Sequence, residues 1–145
     1  MKTKSILFPL LALTFSTSLW AAKPAGPNGG RVLHAEPQKA EFFVTPERHA
    51  QITFLDAALS PAAPGGQQVA AIAEVPGQRT TLEFERTEAG FVSRAPLPES
   101  TAPYRVVVQI RSAPDAKPTN YRIDLNLSEC GECGHAEYAC TCEGH

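Results

Sequence analysis

The chain has 145 residues, with 13 Lys and Arg against 15 Asp and Glu. Without Lys2 and Lys4, which precede the apolar opening stretch, 11 basic residues face 15 acidic ones, and a net charge near −4 speaks against nucleic acid or an anionic membrane surface as partner. The roughly 120 residues after that stretch suffice for one domain that buries about 65% of its unfolded-chain surface.

Residues 1–22 read as a secretory signal peptide. Lys2 and Lys4 lead into an apolar run from Ile6 to Trp20, followed by the small residues Ala21 and Ala22; the run is too short for a membrane anchor. The mature protein is therefore expected to be exported, periplasmic in a bacterium, with no transmembrane segment after cleavage. No cysteine follows the run to accept a lipid.

Residues 23–30 (KPAGPNGG) form a Pro- and Gly-rich entry that cannot be helix interior. From there to residue 127 the apolar period is two. Residues 31–35 and 40–45 predict a first hairpin across Glu36-Pro37-Gln38-Lys39, and residues 51–56 predict a third strand with Ile52 and Phe54 on one face. Residues 57–66 read as a loop. Residues 67–75 and 80–85 predict two strands around a Pro76-Gly77 turn, Leu82 and Phe84 pointing inward, and Glu88-Ala89-Gly90 returns the chain into residues 91–95. After a proline-rich connector, Tyr104, Val106, Val108 and Ile110 share one face, as do Tyr121, Ile123, Leu125 and Leu127, which predicts a terminal hairpin.

Seven or eight short strands without a long amphipathic helix predict an all-β fold, a small antiparallel sandwich of immunoglobulin-like architecture, with a small barrel as the alternative. No cysteine pair or tryptophan after residue 22 supplies the immunoglobulin signature within the strands, so architecture alone is inferred.

Residues 128–145 hold every cysteine and half the histidines. The run Cys130-x2-Cys133-x-His135-x4-Cys140-x-Cys142-x2-His145 offers up to six soft or borderline donors, where a tetrahedral thiophilic ion needs four. Two thiolates in C-x2-C spacing curl onto one ion through a tight turn, and Gly131 and Gly134 give that turn access to positive φ. C-x-C spacing suits chelation of Zn(II) or Cu(I), and Glu129, Glu132, Glu137 and Glu143, with no Lys or Arg after Arg122, add a field that attracts cations. Cys130, Cys133, Cys140 and Cys142 are thus expected as ligands, with His135 and His145 as additional or competing donors. Two disulfides are the rival reading, which would leave an envelope protein-interaction module stapled only within its tail. A thiol oxidoreductase reading of Cys130-Gly-Glu-Cys133 lacks the strand and helix context of such motifs. In either main reading the tail is expected to hang from the sandwich edge, mobile until an ion or a disulfide orders it.

Gly26-Pro27-Asn28-Gly29-Gly30-Arg31, followed by Ala40-Glu41-Phe42-Phe43-Val44, resembles small exported proteins with a G-P-H-G-G-R opening and an H-A-E-L-V strand, a pattern shared with the N-terminal segments of periplasmic adaptor subunits of heavy-metal efflux pumps. The resemblance implies periplasmic handling of heavy-metal cations and an efflux component as partner. Asn28 and Lys39 stand where that family carries histidines, so it implies export and a sandwich rather than ligands in the body. His34 and His49 read as surface or hydrogen-bonded histidines. No nucleophile elbow, HExxH or phosphate loop occurs, and an enzyme is not expected.

Overall fold

Alternation of apolar and polar residues produces strands throughout the body. The computed structural model describes residues 23–142; the signal peptide assigned to residues 1–22 and the expected donor His145 lie outside the described residues. Eight strands run in order: β1 (Arg31–Leu33), β2 (Lys39–Val44), β3 (Ala50–Leu55), β4 (Gln68–Val75), β5 (Gln78–Arg86), β6 (Gly90–Ser93), β7 (Tyr104–Arg111) and β8 (Thr119–Leu125). A single 3-10 turn, Glu137–Ala139, lies in the tail.

All pairings are antiparallel, in the spatial order β1-β2-β3-β6-β5-β4-β7-β8. The expected antiparallel sandwich is present, in a form between the two architectures weighed from the sequence. One strand makes the difference. β5 pairs with β4 through Gln78–Glu83 and with β6 through Phe84–Arg86, so it passes from one half of the sandwich to the other. The two halves become one folded sheet, a nearly closed barrel whose seam lies between its terminal strands, β1 and β8.

The core fills from the inward positions of both halves. Phe42, Ile52, Phe54, Leu82, Val106, Val108, Ile123 and Leu125 are all buried, and the Phe54 and Phe91 rings meet edge to face at 6.1 Å. Leu127 departs from its predicted face and is exposed, because β8 ends at Leu125 and the chain turns away. Thr53 and Leu55, on the opposite face of β3 from Phe54, are buried too: the following loop folds back, pairing Pro61 with Leu55 and donating Ala62 N–H to Phe54 O.

The glycine-rich entry loop is built around one carboxylate. Glu41 is wholly buried, and its side chain accepts Asn28 N–H (2.9 Å), Asn28 Nδ2–H (2.8 Å) and Gly30 N–H (2.7 Å). A Cβ at Gly26 would stand 2.3 Å from the Glu41 carboxyl, and one at Gly30 would stand 2.3 Å from Phe42 O. The loop therefore needs glycine at both places. The two halves of the motif quoted from the sequence are thus partners in one structural unit, in which three charge-assisted hydrogen bonds offset the cost of burying the carboxylate.

Candidate metal centre

Beyond β8 the chain continues as a narrow antiparallel ribbon. Glu129 bridges to Ala136, Glu137 N–H donates to Ser128 O (2.8 Å), and Tyr138 N–H donates to Asn126 O (3.1 Å). The ribbon's tip is a tight knuckle, with Cys130 N–H donating to His135 O (2.8 Å) and Gly134 N–H to Cys130 O (3.0 Å). Gly134 sits at φ 72°, the left-handed conformation expected for a C-x2-C-G turn. The 3-10 turn that follows swings Cys140 and Cys142 back onto the knuckle.

The tail does not hang free, contrary to expectation. Tyr138 is 6% exposed; its ring meets Phe42 edge to face at 5.6 Å and its hydroxyl accepts Val44 N–H at 3.0 Å. Ala139 is buried beside it, and the 3-10 turn touches both β8 and β1. Burial raises the Tyr138 pKa above its ordinary value, against the lowering effect of the Val44 N–H, and the nearby Glu41 carboxylate adds to the rise. Tyr138 had no marker in the sequence beyond being the tail's one aromatic residue.

The four cysteines meet at one point. Their Sγ atoms all lie within 4.8 Å of one another, with Cys140 to Cys130 at 3.5 Å, Cys133 to Cys140 at 3.7 Å and Cys130 to Cys142 at 3.9 Å. Four sulfurs each about 2.3 Å from a tetrahedral Zn(II) stand about 3.8 Å apart. The three closest contacts, 3.5, 3.7 and 3.9 Å, bracket that figure, and every other pair lies within 4.8 Å. Two disulfides would need sulfurs close only in pairs, whereas Cys140 approaches both Cys130 and Cys133. Cys130 is buried, and the other three are half-buried.

The local field prepares one thiolate, Cys133. Backbone N–H groups of Thr141 and then His135 point at the Cys133 sulfur, and they pull its pKa down to about 6. Cys142 is pushed up from the ordinary thiol value, chiefly by its contact with Cys140 and further by burial and the other thiols. Cys140 also ends raised: its largest influence, the Cys142 N–H at 3.4 Å, lowers its pKa, but burial and the thiols of Cys130 and Cys133 outweigh it. Cys133 forms a thiolate readily, while Cys140 and Cys142 hold their protons beside it. A cation at the centre displaces those protons.

The histidines are placed differently. The His135 ring is not part of the four-sulfur group; it packs over the entry loop, its Nδ1 3.3 Å from where a Gly29 Cβ would stand. Its main chain serves the knuckle instead, through the Cys130 N–H bond and the N–H directed at Cys133. His49 donates Nδ1–H to Ser93 O at 2.6 Å, and His34 is exposed on the wall of a cleft of about 300 Å³ that also contains Arg31, Tyr138 and Cys140. Among the described residues the four cysteines are the one His, Cys, Asp and Glu group close enough to hold an ion, and no helix is long and apolar enough to cross a membrane.

No protein-family model, curated protein or solved structure matches the chain.

Proposed function

We propose that this protein is an exported metal-binding protein whose tail holds one thiophilic cation through Cys130, Cys133, Cys140 and Cys142. The observation that carries the reading is the convergence of four Sγ atoms within 4.8 Å of one another. A tetrahedral all-sulfur set suits Zn(II) best, and Cu(I) shares its preference for thiolate. Residues 1–22 and the efflux-adaptor resemblance of residues 26–44 support a periplasmic role in heavy-metal homeostasis, with an efflux component as the partner that receives or delivers the ion. The function is binding rather than catalysis, since the cluster leaves no donor position for a substrate once four thiolates surround the ion.

Magnitudes support an ion in this place. Fixing the roughly fifteen residues of the tail costs on the order of 1 kcal/mol each, about 15 kcal/mol in all. Burial and ring contact at Tyr138 return about 3 kcal/mol. Binding of a structural Zn(II) supplies about 10–16 kcal/mol, enough to close the difference.

The test is native mass spectrometry of protein exported and purified without oxygen, with thiols counted after denaturation of the same sample. The expected result is one bound ion and four free thiols. A metal-free mass four hydrogens light, with no titratable thiol, would instead make the tail a disulfide knot on an interaction module.

A further inference from the structure

The sheet is left almost closed, and what spans its seam is the tail. Among the strands β1 pairs only with β2 and β8 only with β7, so β8 presents an unpaired edge toward the seam, and the edge of β1 is met there only at Arg31, by a bridge from Ala25. The Tyr121 hydroxyl, 3.4 Å from His34 O, is a long polar contact across it. The 3-10 turn of Glu137–Ala139 touches both strands, and Tyr138 seats on the neighbouring β2, its ring against Phe42 and its hydroxyl accepting the Val44 N–H. Clefts of about 300 and 380 Å³ flank Tyr138 on its two sides, one reaching Arg31 and His34, the other Asn28, Val44 and Leu127.

We propose that the ion latches the tail across the seam, so that metal occupancy decides whether the gap between β1 and β8 is covered. This inference rests on the metal-binding reading. Tyr138 lies inside the segment tied off by the ligands, eight residues after Cys130 and two before Cys140. With Cys140 held against Cys130 by a shared ion, the turn carrying Tyr138 is ordered and kept close to the end of β8, so it docks at a smaller entropic cost. Without the ion, the thiols are joined only by weak S–H contacts, so the ribbon rests on its own hydrogen bonds and the Tyr138 seat and opens more readily from Asn126 onward. Peeling uncovers the Val44 N–H and the edge of Phe42, and it merges the two flanking clefts into one groove along both strand edges. The metal state of the tail is thereby written onto the face of the sandwich, where a partner can read it.

The experiment is amide hydrogen exchange on the full mature chain with thiols kept reduced, metal-free and with one equivalent of Zn(II), ion stoichiometry being measured on the same samples by native mass spectrometry. Zn(II) is expected to slow exchange at Val44 and Tyr138 by more than about tenfold, while Val106 and Val108 in β7 stay unchanged. If Zn(II) binds and neither amide at the seam slows, the latch is wrong and the metal site stands. If no Zn(II) binds, both fall together. Tyr138→Phe supplies the second arm: with Zn(II) bound, Val44 should lose its protection while the amide at position 138 keeps it. Protection of Val44 that survives this change would remove Tyr138 from the seat assigned to it.

Discussion

Two glycine-bearing turns, at opposite ends of the described chain, solve the same problem with different materials. Residues 26–30 wrap backbone N–H groups around a carboxylate that the chain itself provides, Glu41. In the knuckle of residues 130–135 the backbone N–H groups of Thr141 and His135 point at the Cys133 sulfur, and four sulfurs converge. The first turn is complete from within, since donors and acceptor balance. The second gathers like with like, four thiols close enough to hold a cation. A polar loop in this fold is thus either a brace or a receptor, and the difference lies in whether its charges are matched by the chain. The turns also touch, through the His135 ring over Gly29, so the brace supports the receptor.

The comparison breaks most visibly at the cysteines. Cys130→Ser should lower metal affinity by more than the ~10–100-fold typical of changes outside the coordination shell, measured by competition with a chromophoric chelator, and should leave the strand signal in circular dichroism intact. Glu41→Ala attacks the other turn: with the Asn28 and Gly30 N–H groups left without an acceptor, it should cost about 3 kcal/mol in urea denaturation, with or without metal. If the loss appeared only in the metal-bound protein, the brace would not be self-sufficient.

Smaller effects sharpen the link between the two. Tyr138→Phe removes one hydrogen bond to a buried amide and should cost about 1 kcal/mol. Raising the pH tests the same contact. The Tyr138 pKa is raised in the folded state, so docking is fully favoured below the ordinary tyrosine value of 10.0 and is lost as pH climbs through the higher folded value. Burial raises Tyr104 and Tyr121 as well, so all three tyrosines should ionise late in tyrosinate absorbance, and Tyr138→Phe should remove one of them. Least of all, His135→Ala should change metal affinity by less than about threefold, because its main chain rather than its ring serves the knuckle. A larger loss would place the imidazole on the ion.

Much of this was legible beforehand, for reasons tied to particular residues. Tyr104, Val106, Val108 and Ile110 alternate with exposed or half-buried neighbours, and a strand with one buried face writes that period directly into the sequence. The four cysteines carry their own chemistry, so their grouping could be read without a fold. Glu41 could not, since alternation places it opposite Phe42 and only the folded entry loop shows that both faces of β2 are covered. Tyr138 was hidden for a similar reason: its hydrogen-bond partner is 94 residues away, and nothing around it repeats. The passage of β5 between the two halves leaves no local sign either, because residues 78–86 alternate without interruption while their neighbours change.

The central claim is that four sulfurs, and no nitrogen, surround a single ion. X-ray absorption at the zinc edge of the Zn(II)-loaded chain tests it most directly. The account predicts one shell of four sulfurs at about 2.3 Å, without the outer scattering of imidazole. A shell of two sulfurs with two nitrogens or oxygens, or a metal-metal distance from a multinuclear cluster, would contradict it.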